Sequence, residues 1–382
     1  MSKICIVGGC GHVGIPLGLA FAKAKEDVVL LDTNKGAVSS INAGILPFME
    51  LGAEKILKTS LNKNLIATTN KNVLKNADVV VFVIGTPVDV HGKPTTKRFI
   101  RVIKDYASFL NPHQLIVLRS TVCIGTTRLV GNTLETDNIA FCPERIVQGK
   151  GIEEIATLPQ IVSALSDSAQ KSAARLFRKI APKIVFLQPE EAEIAKLMTN
   201  AWRYVEFAIA NQFYQLLEKN GFDFYKILFA MKEDYPRAQH FAKAGLTKGP
   251  CLYKDTAQLL SCFGTDFSLG KSALDINENL PLFLVKRLKK ELGNLRGKNI
   301  VILGKTFKPD CDDIRDSLAL SLEKALQKEK AVVSFDDALL GLKADLSRAD
   351  GVIVAAPHQK YKRMKINCPF VDCWNFFKRD KK

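Results

Sequence analysis

Between Lys3 and Asp32 the chain reads strand, glycine loop, helix, strand, acid, and this run narrows its fold more than any other. Lys3 to Val7 is apolar and rich in Ile and Val, and Gly9-Cys10-Gly11-His12-Val13-Gly14 follows at once. Ile15 to Ala24 reads as an apolar helix, and Val28 to Leu31 as a second strand ending at Asp32. In a G-x-G-x-x-G turn, Gly9 and Gly11 permit a tight bend and the close approach of a pyrophosphate to backbone N–H groups. Gly14 lets helix and strand pack closely. Asp32 lies at the spacing where a carboxylate bonds a ribose 2′-hydroxyl and repels a 2′-phosphate, so the loop predicts NAD rather than NADP.

The alternation continues with strand-like runs at Leu65 to Ala67, Val79 to Ile84, Leu115 to Leu118 and Ile139 to Phe141, and helices near 97–110 and 126–134. Apolar strands separated by helices predict a parallel sheet covered on both faces, with ligands at the carboxyl ends of its strands. Gly85-Thr86-Pro87, Ser120-Thr121-Val122 and Cys142-Pro143-Glu144 then fall at one edge. From Glu190 to Lys219 neither Gly nor Pro occurs, which predicts one long buried helix. Lys196, Asn200 and Asn211 share a stripe of it and need partners, either neighbouring loops or a site. Helices are also expected at 222–232, 254–260 and 277–292. A second, smaller strand–helix alternation starts at Asn299, with strands at Asn299 to Leu303, Val332 to Phe335 and Val352 to Ala355. The fold class is therefore α/β, in three parts: residues 1–188 around the NAD-binding sheet, 189–293 mainly helical, and 294–382 a smaller Rossmann-like half. At 382 residues the chain is long enough for several cores.

Lys248-Gly249-Pro250-Cys251-Leu252-Tyr253-Lys254-Asp255 sets a thiol behind a Gly-Pro bend, with an ammonium and a carboxylate close by. A nearby ammonium favours the reactive thiolate, although a free thiol is more often a small buried hydrophobe. Nine cysteines with no C-x-x-C or Cys/His spacing predict neither a disulfide framework nor a metal site, and suit a reducing, cytoplasmic setting. The N-terminal apolar stretch is too broken for a signal peptide, and no run approaches a membrane span. The formal charge of +16 points to an anionic partner. Nucleic acid and phosphorylated small molecules are both candidates; basic residues are spread widely, and the denser tail from His358 to Lys382 has no accompanying nucleic-acid module, so it reads as solvated surface rather than a nucleic-acid site.

Taken together these segments resemble the UDP-glucose/GDP-mannose dehydrogenase family over nearly the whole chain. The resemblance is carried by the glycine loop, Ser120-Thr121-Val122, Pro143-Glu144, Glu191-Ala192-Glu193-Ile194-Ala195-Lys196-Leu197-Met198-Thr199-Asn200, and Cys251 to Asp255 paired with Phe307-Lys308 and Asp312 to Ser317. It implies two successive NAD-linked oxidations at C6 of a sugar nucleotide, giving a uronate for polysaccharide biosynthesis without release of the aldehyde. It makes Cys251 the nucleophile, with Lys196 and Asn200 holding the oxyanion and the substrate. Glu144 and Asp255 become proton-transfer or water-orienting groups near Thr121. Gly9, Gly11, Gly14, Asp32, Thr86, Thr121, Glu144, Lys254 and Arg315 fall to the cofactor, and Lys308 to the nucleotide-sugar phosphates. The central helices are expected to build a homodimer in which a neighbour's Arg, here Arg237, approaches the site.

The sequence departs from the family pattern in places. Leu252 and Tyr253 replace a Phe-Pro pair, and Ala37 stands where a basic residue is common, so Lys35 is the substitute for the adenosine ribose. Cys142-Pro143-Glu144-Arg145 and Tyr235-Pro236-Arg237 look more like members that oxidise UDP-N-acetylhexosamines. UDP-glucose 6-dehydrogenation, a single hydroxyacid-type oxidation needing no thiol, and a non-enzymatic NAD-responsive nucleic-acid binder are the competing readings.

Overall fold

The fold is that of a computed structural model, which describes residues 2–86, 88–89 and 95–377. It divides into two compact units, Met1–Thr199 and Asn200–Lys382, with the boundary inside one long helix.

In the first unit, β1 (Lys3–Val7), α1 (Gly14–Lys23), β2 (Asp27–Leu31), α2 (Lys35–Asn42), α3 (Ala53–Ser60), β3 (Leu65–Thr68) and β4 (Val79–Phe82) follow in order. Then come α4 (Thr96–Ala107), β5 (Leu115–Leu118), α5 (Thr126–Leu134), β6 (Ile139–Phe141), α6 (Gly151–Thr157), β7 (Gln160–Ala164), α7 (Asp167–Phe177) and β8 (Ile184–Phe186). Among the described residues these strands form one eight-stranded sheet in the order β3-β2-β1-β4-β5-β6-β7-β8. Both faces are covered, because successive side chains alternate between them: Ile4 and Ile6 join one core, Cys5 and Val7 the other. The strand order reverses between β1 and β4, so the loops after these two strands flank a crevice of the kind that takes a ligand. The sheet is not wholly parallel, since β7 pairs antiparallel with β6.

The long helix α8 (Pro189–Lys219) starts with Glu190 and Glu191, which suit the positive end of its dipole. The second unit takes in its later turns, with α9 (Phe224–Lys232), α10 (Gly249–Phe263) and α11 (Ser268–Leu292). Then follow β9 (Asn299–Leu303), α12 (Leu318–Lys328), β10 (Val332–Asp336), β11 (Gly351–Val354) and β12 (Phe370–Val371). The four strands pair in parallel in the order β10-β9-β11-β12. The chain turns at Gly293, whose φ of +74° suits a residue without a Cβ. Packing continues across that turn: Tyr214, Phe224 and Leu284 share one core with Ile300, Ile302, Leu322 and Ile353.

The sequence predicts a buried α8, and the structure corrects this. Leu197, Ala201, Val205 and Ala208 are buried, but Trp202 (61% exposed), Ile209 (39%), Phe213 (46%) and Leu216 (52%) lie open. At 100° per residue these four fall within about 60° of one another, so they form a single apolar stripe. No helix among the described residues is long and apolar enough to cross a membrane.

Candidate active site

The glycine loop of the first unit separates the jobs of its three glycines. A Cβ on Gly9 would stand 2.6 Å from the Ile6 carbonyl and 2.8 Å from the Leu30 Cα. One on Gly14 would meet the Gly9 Cα and carbonyl at 2.6 Å and the Gly8 carbonyl at 2.7 Å. Those two positions are closed by the fold itself. At Gly11 the nearest atom is the Gly8 carbonyl at 3.7 Å, an ordinary contact, so the packing of the loop itself does not require glycine there. A backbone that a dinucleotide pyrophosphate can approach, at the start of α1, fits NAD. Asp32 accepts from the Cys10 N–H (3.0 Å) and the Asn34 N–H (3.0 Å), which ties the end of β2 to the loop. Lys35 is exposed, and Ala37 packs against the core beside the Asn34 cap of α2.

Thr86, after β4, donates to the Thr121 carbonyl at 2.5 Å, joining two of the loops expected at this edge; Pro87 lies outside the described residues. Glu144 is buried and accepts from the N–H groups of Arg145 (2.7 Å) and Ile146 (2.9 Å) and from Arg119 Nε (2.8 Å). Arg119, also buried, donates further to the Cys142 carbonyl (3.0 Å) and Gln160 Oε1 (2.8 Å). Near the start of α8, Glu193 is fully buried and caps α5, accepting from the N–H groups of Gly125 (2.6 Å) and Thr127 (2.7 Å) and from the Thr127 hydroxyl (2.6 Å). Burial pushes the Glu193 carboxyl above its ordinary range despite these donors. Lys196 and Asn200, one turn apart on α8, are both buried.

In the second unit the Gly-Pro pair opens a helix and does not precede one. Residues Gly249, Pro250 and Cys251 are the first three of α10, which starts five residues before the expected Lys254. Proline is at home in a first turn because its missing N–H has no helical partner to lose. Gly249 has φ +64°, and a Cβ there would stand 2.4 Å from the Phe307 ring, so the loop after β9 packs directly on the thiol's turn. Cys251 is exposed in the first turn of the helix. One turn on, Asp255 is fully buried; Asn200 donates to its Oδ2 at 2.5 Å and Lys254 Nζ lies 3.2 Å from its Oδ1.

Arg315 is held by Asp313, with Nε 2.9 Å and Nη2 2.6 Å from Oδ2. That carboxylate, and more weakly Cys251, hold the guanidinium more firmly protonated than usual. Thr306 donates to the carbonyl of Lys308 at 2.9 Å. Arg237 is exposed and bonded to the Tyr235 hydroxyl at 2.7 Å.

Of the three polar residues on α8, Asn211 is thereby assigned to structure. Its amide donates to the Gly245 carbonyl (3.1 Å) and Asn277 Oδ1 (2.8 Å) and accepts from the Gly245 N–H (2.8 Å). Sequence reasoning missed Arg119 and Glu193 as organisers of expected site loops. Arg119 adjoins Ser120-Thr121 and Glu193 lies within the quoted Lys196 segment, so a buried charge beside a motif was the available signal.

Three descriptions of one family match the chain: its NAD binding domain over residues 2–181, its central domain over 190–279 and its UDP binding domain over 301–379. The chain belongs to the UDP-glucose/GDP-mannose dehydrogenase family. It is an NAD-dependent oxidoreductase whose substrate is a nucleotide sugar. Among its relatives, UDP-N-acetyl-D-mannosamine dehydrogenase of Pyrococcus horikoshii is 28% identical, over 93% of this chain and 89% of that protein. A UDP-glucose 6-dehydrogenase of Bacillus subtilis is 27% identical over 88% of this chain and 76% of its own length. The solved structure of the UDP-D-ManNAc dehydrogenase from Pyrococcus horikoshii superposes with a TM-score of 0.91 at 26% identity, covering 99% of this chain and 96% of that one.

Proposed function

We propose that the chain oxidises the C6 hydroxyl of a UDP-N-acetylhexosamine to the carboxylate through a thioester on Cys251. The observation that carries this reading is the exposed Cys251 in the first turn of α10, followed one turn later by a buried Asp255 bonded to Asn200. When bound, NAD accepts the hydride in each of two oxidations, so one alcohol and one water give one carboxylate, two NADH and three protons. Gly9, Gly11, Gly14, Asp32, Thr86, Thr121, Lys254 and Arg315 are the residues proposed to hold it.

A single oxidation needs no sulfur. The second needs a nucleophile on the carbon first, because an aldehyde becomes a hydride donor only after addition, and the thiolate is the nucleophile proposed here. The Cys251 thiolate adds to C6, giving a thiohemiacetal whose oxyanion is met by Lys196 and Asn200. Asn200 has two N–H groups, so giving one to Asp255 leaves one for that oxygen. After the carbon is oxidised, water attacks the thioester, the C–S bond breaks and the thiolate returns. Asp255 takes the proton from that water. Glu144 is proposed as an orienting group, a role favoured by its engagement with Arg119 and two backbone N–H groups. Lys308 is proposed for the substrate phosphates.

Two finer readings go with this. The N-acetylhexosamine preference rests on the Pro143-Glu144-Arg145 and Tyr235-Pro236-Arg237 motifs and on the Pyrococcus horikoshii relative. UDP-glucose is the second reading, favoured by the Bacillus subtilis relative. The three-part division at 188 and 293 is proposed with a homodimer through the central helices, where the stripe of Trp202, Ile209, Phe213 and Leu216 offers an apolar patch and Arg237 a residue for the neighbour's site. Measuring NADH formation with UDP-ManNAc, UDP-GlcNAc, UDP-GalNAc and UDP-glucose side by side tests the substrate. The fastest turnover is expected with an N-acetylhexosamine, and preference for UDP-glucose would overturn that choice.

A further inference from the structure

The turn that carries Cys251 is tied to α8 by two polar links, and the chemistry above uses the Asn200–Asp255 link. The other begins at Lys248, the residue that caps the start of α10 without a side-chain cap of its own. A cation there is opposed by the helix dipole. In the structure the ammonium is drawn off the helix end. It lies 2.5 Å from Glu278 Oε2 on α11 and 4.2 Å from the centre of the Tyr253 ring. The other oxygen of Glu278, Oε1, accepts from the Tyr204 hydroxyl at 3.1 Å. Tyr204 is fully buried on α8, one turn beyond Asn200. Leu252 and Tyr253 pack on Tyr204, Val205, Ala208 and Ala273, which gives the two residues that depart from the family's usual pair a definite place.

We propose that Lys248, Tyr253, Glu278 and Tyr204 form a clamp that positions Cys251 for attack on the aldehyde. The residues on either side of the thiol, Lys248 before it and Tyr253 after it, are held by α8 and α11, so the turn between them has little freedom. Misplacing a nucleophile by about 1 Å costs on the order of 100-fold in rate, so such a restraint matters to the step that uses the thiol. It does not matter to the first oxidation, which uses none. The clamp thus rests on the thioester reading, and its signature is a split between the two oxidations.

The test follows NADH, uronate and aldehyde trapped by hydroxylamine, using the best UDP-sugar of the side-by-side assay. Tyr253→Leu removes the ring face and Glu278→Gln the counter-charge. Lys248→Met removes the ammonium while leaving the aromatic packing in place, so it guards against a result that reflects misfolding. In all three, alcohol oxidation is expected within about 3-fold of the parent while aldehyde oxidation falls about 10- to 100-fold, with trapped aldehyde appearing. Tyr253→Phe keeps a ring face for the cation and is expected to behave as the parent. Loss of both oxidations in step, in Lys248→Met as in the others, would mean a general structural role and overturn the clamp. So would retention of tight coupling in all three. Cys251→Ala separates this from the underlying reading: it should stop at the aldehyde, and if it still makes uronate the thioester route itself fails.

Discussion

Replacing Gly11 and Gly14 by Ala, one at a time, asks whether the glycine loop is built for its own packing or for a ligand. At Gly14 the new methyl meets three backbone atoms at 2.6–2.7 Å, none of which can rotate away. Overpacking of this kind costs about 1–3 kcal/mol, and the better helix propensity of Ala returns at most about 1 kcal/mol. A net cost of about 1–2 kcal/mol in a unit of this size lowers the melting temperature by roughly 2–8 °C. At Gly11 the nearest atom is 3.7 Å away, an ordinary contact, so melting is expected within about 1–2 °C of the parent. The cost there falls on binding: a methyl where the pyrophosphate approaches should raise the NADH Kd at least about 10-fold, or about 1.4 kcal/mol. Differential scanning calorimetry and an NADH fluorescence titration read the two effects. Unchanged NADH affinity in Gly11→Ala, or unchanged melting in Gly14→Ala, would refute the division of roles.

Arg119→Met strands the buried Glu144 carboxylate and should cost about 3–5 kcal/mol in urea unfolding, much of it recovered in Arg119→Met/Glu144→Gln. Burial pushes the thiols of Cys5, Cys10 and Cys142 up to about 12, so iodoacetamide at pH 8 should modify Cys251 well before any of them, as read by peptide mass spectrometry. Trp202→Glu and Phe213→Glu place charge on the exposed stripe of α8. Light scattering should find a dimer in the parent and monomer in the double variant, with each fold intact by circular dichroism.

Much of the first sheet was legible because strands buried on both faces are written as unbroken runs of Val, Ile and Leu. β7 and α7 were not, since Gln160 and Ser163 interrupt the strand. Their signal was Ser166, whose hydroxyl caps α7 by accepting from the Ala169 N–H at 3.3 Å. α10 was read short because Gly-Pro looks like a break, although it is also a good first turn. An apolar pattern on α8 does not say whether an apolar face is buried by its own chain, which is why the whole helix was read as buried although Trp202 and Phe213 lie open. The motifs single out Cys251, Lys196, Asn200 and Asp255 as candidates. The links that organise the site loops were not legible: Arg119 to Glu144 spans 25 residues and Thr127 to Glu193 spans 66, distances over which spacing carries no information.

The measurement that bears most directly on the central proposal is the amount of NADH formed per UDP-sugar consumed, in the parent and in Cys251→Ala. Two NADH per sugar with uronate as the product in the parent, falling to one NADH per sugar with aldehyde as the product in Cys251→Ala, is the result the thioester route predicts. A ratio near one in the parent, or an unimpaired yield of uronate in Cys251→Ala, would contradict it.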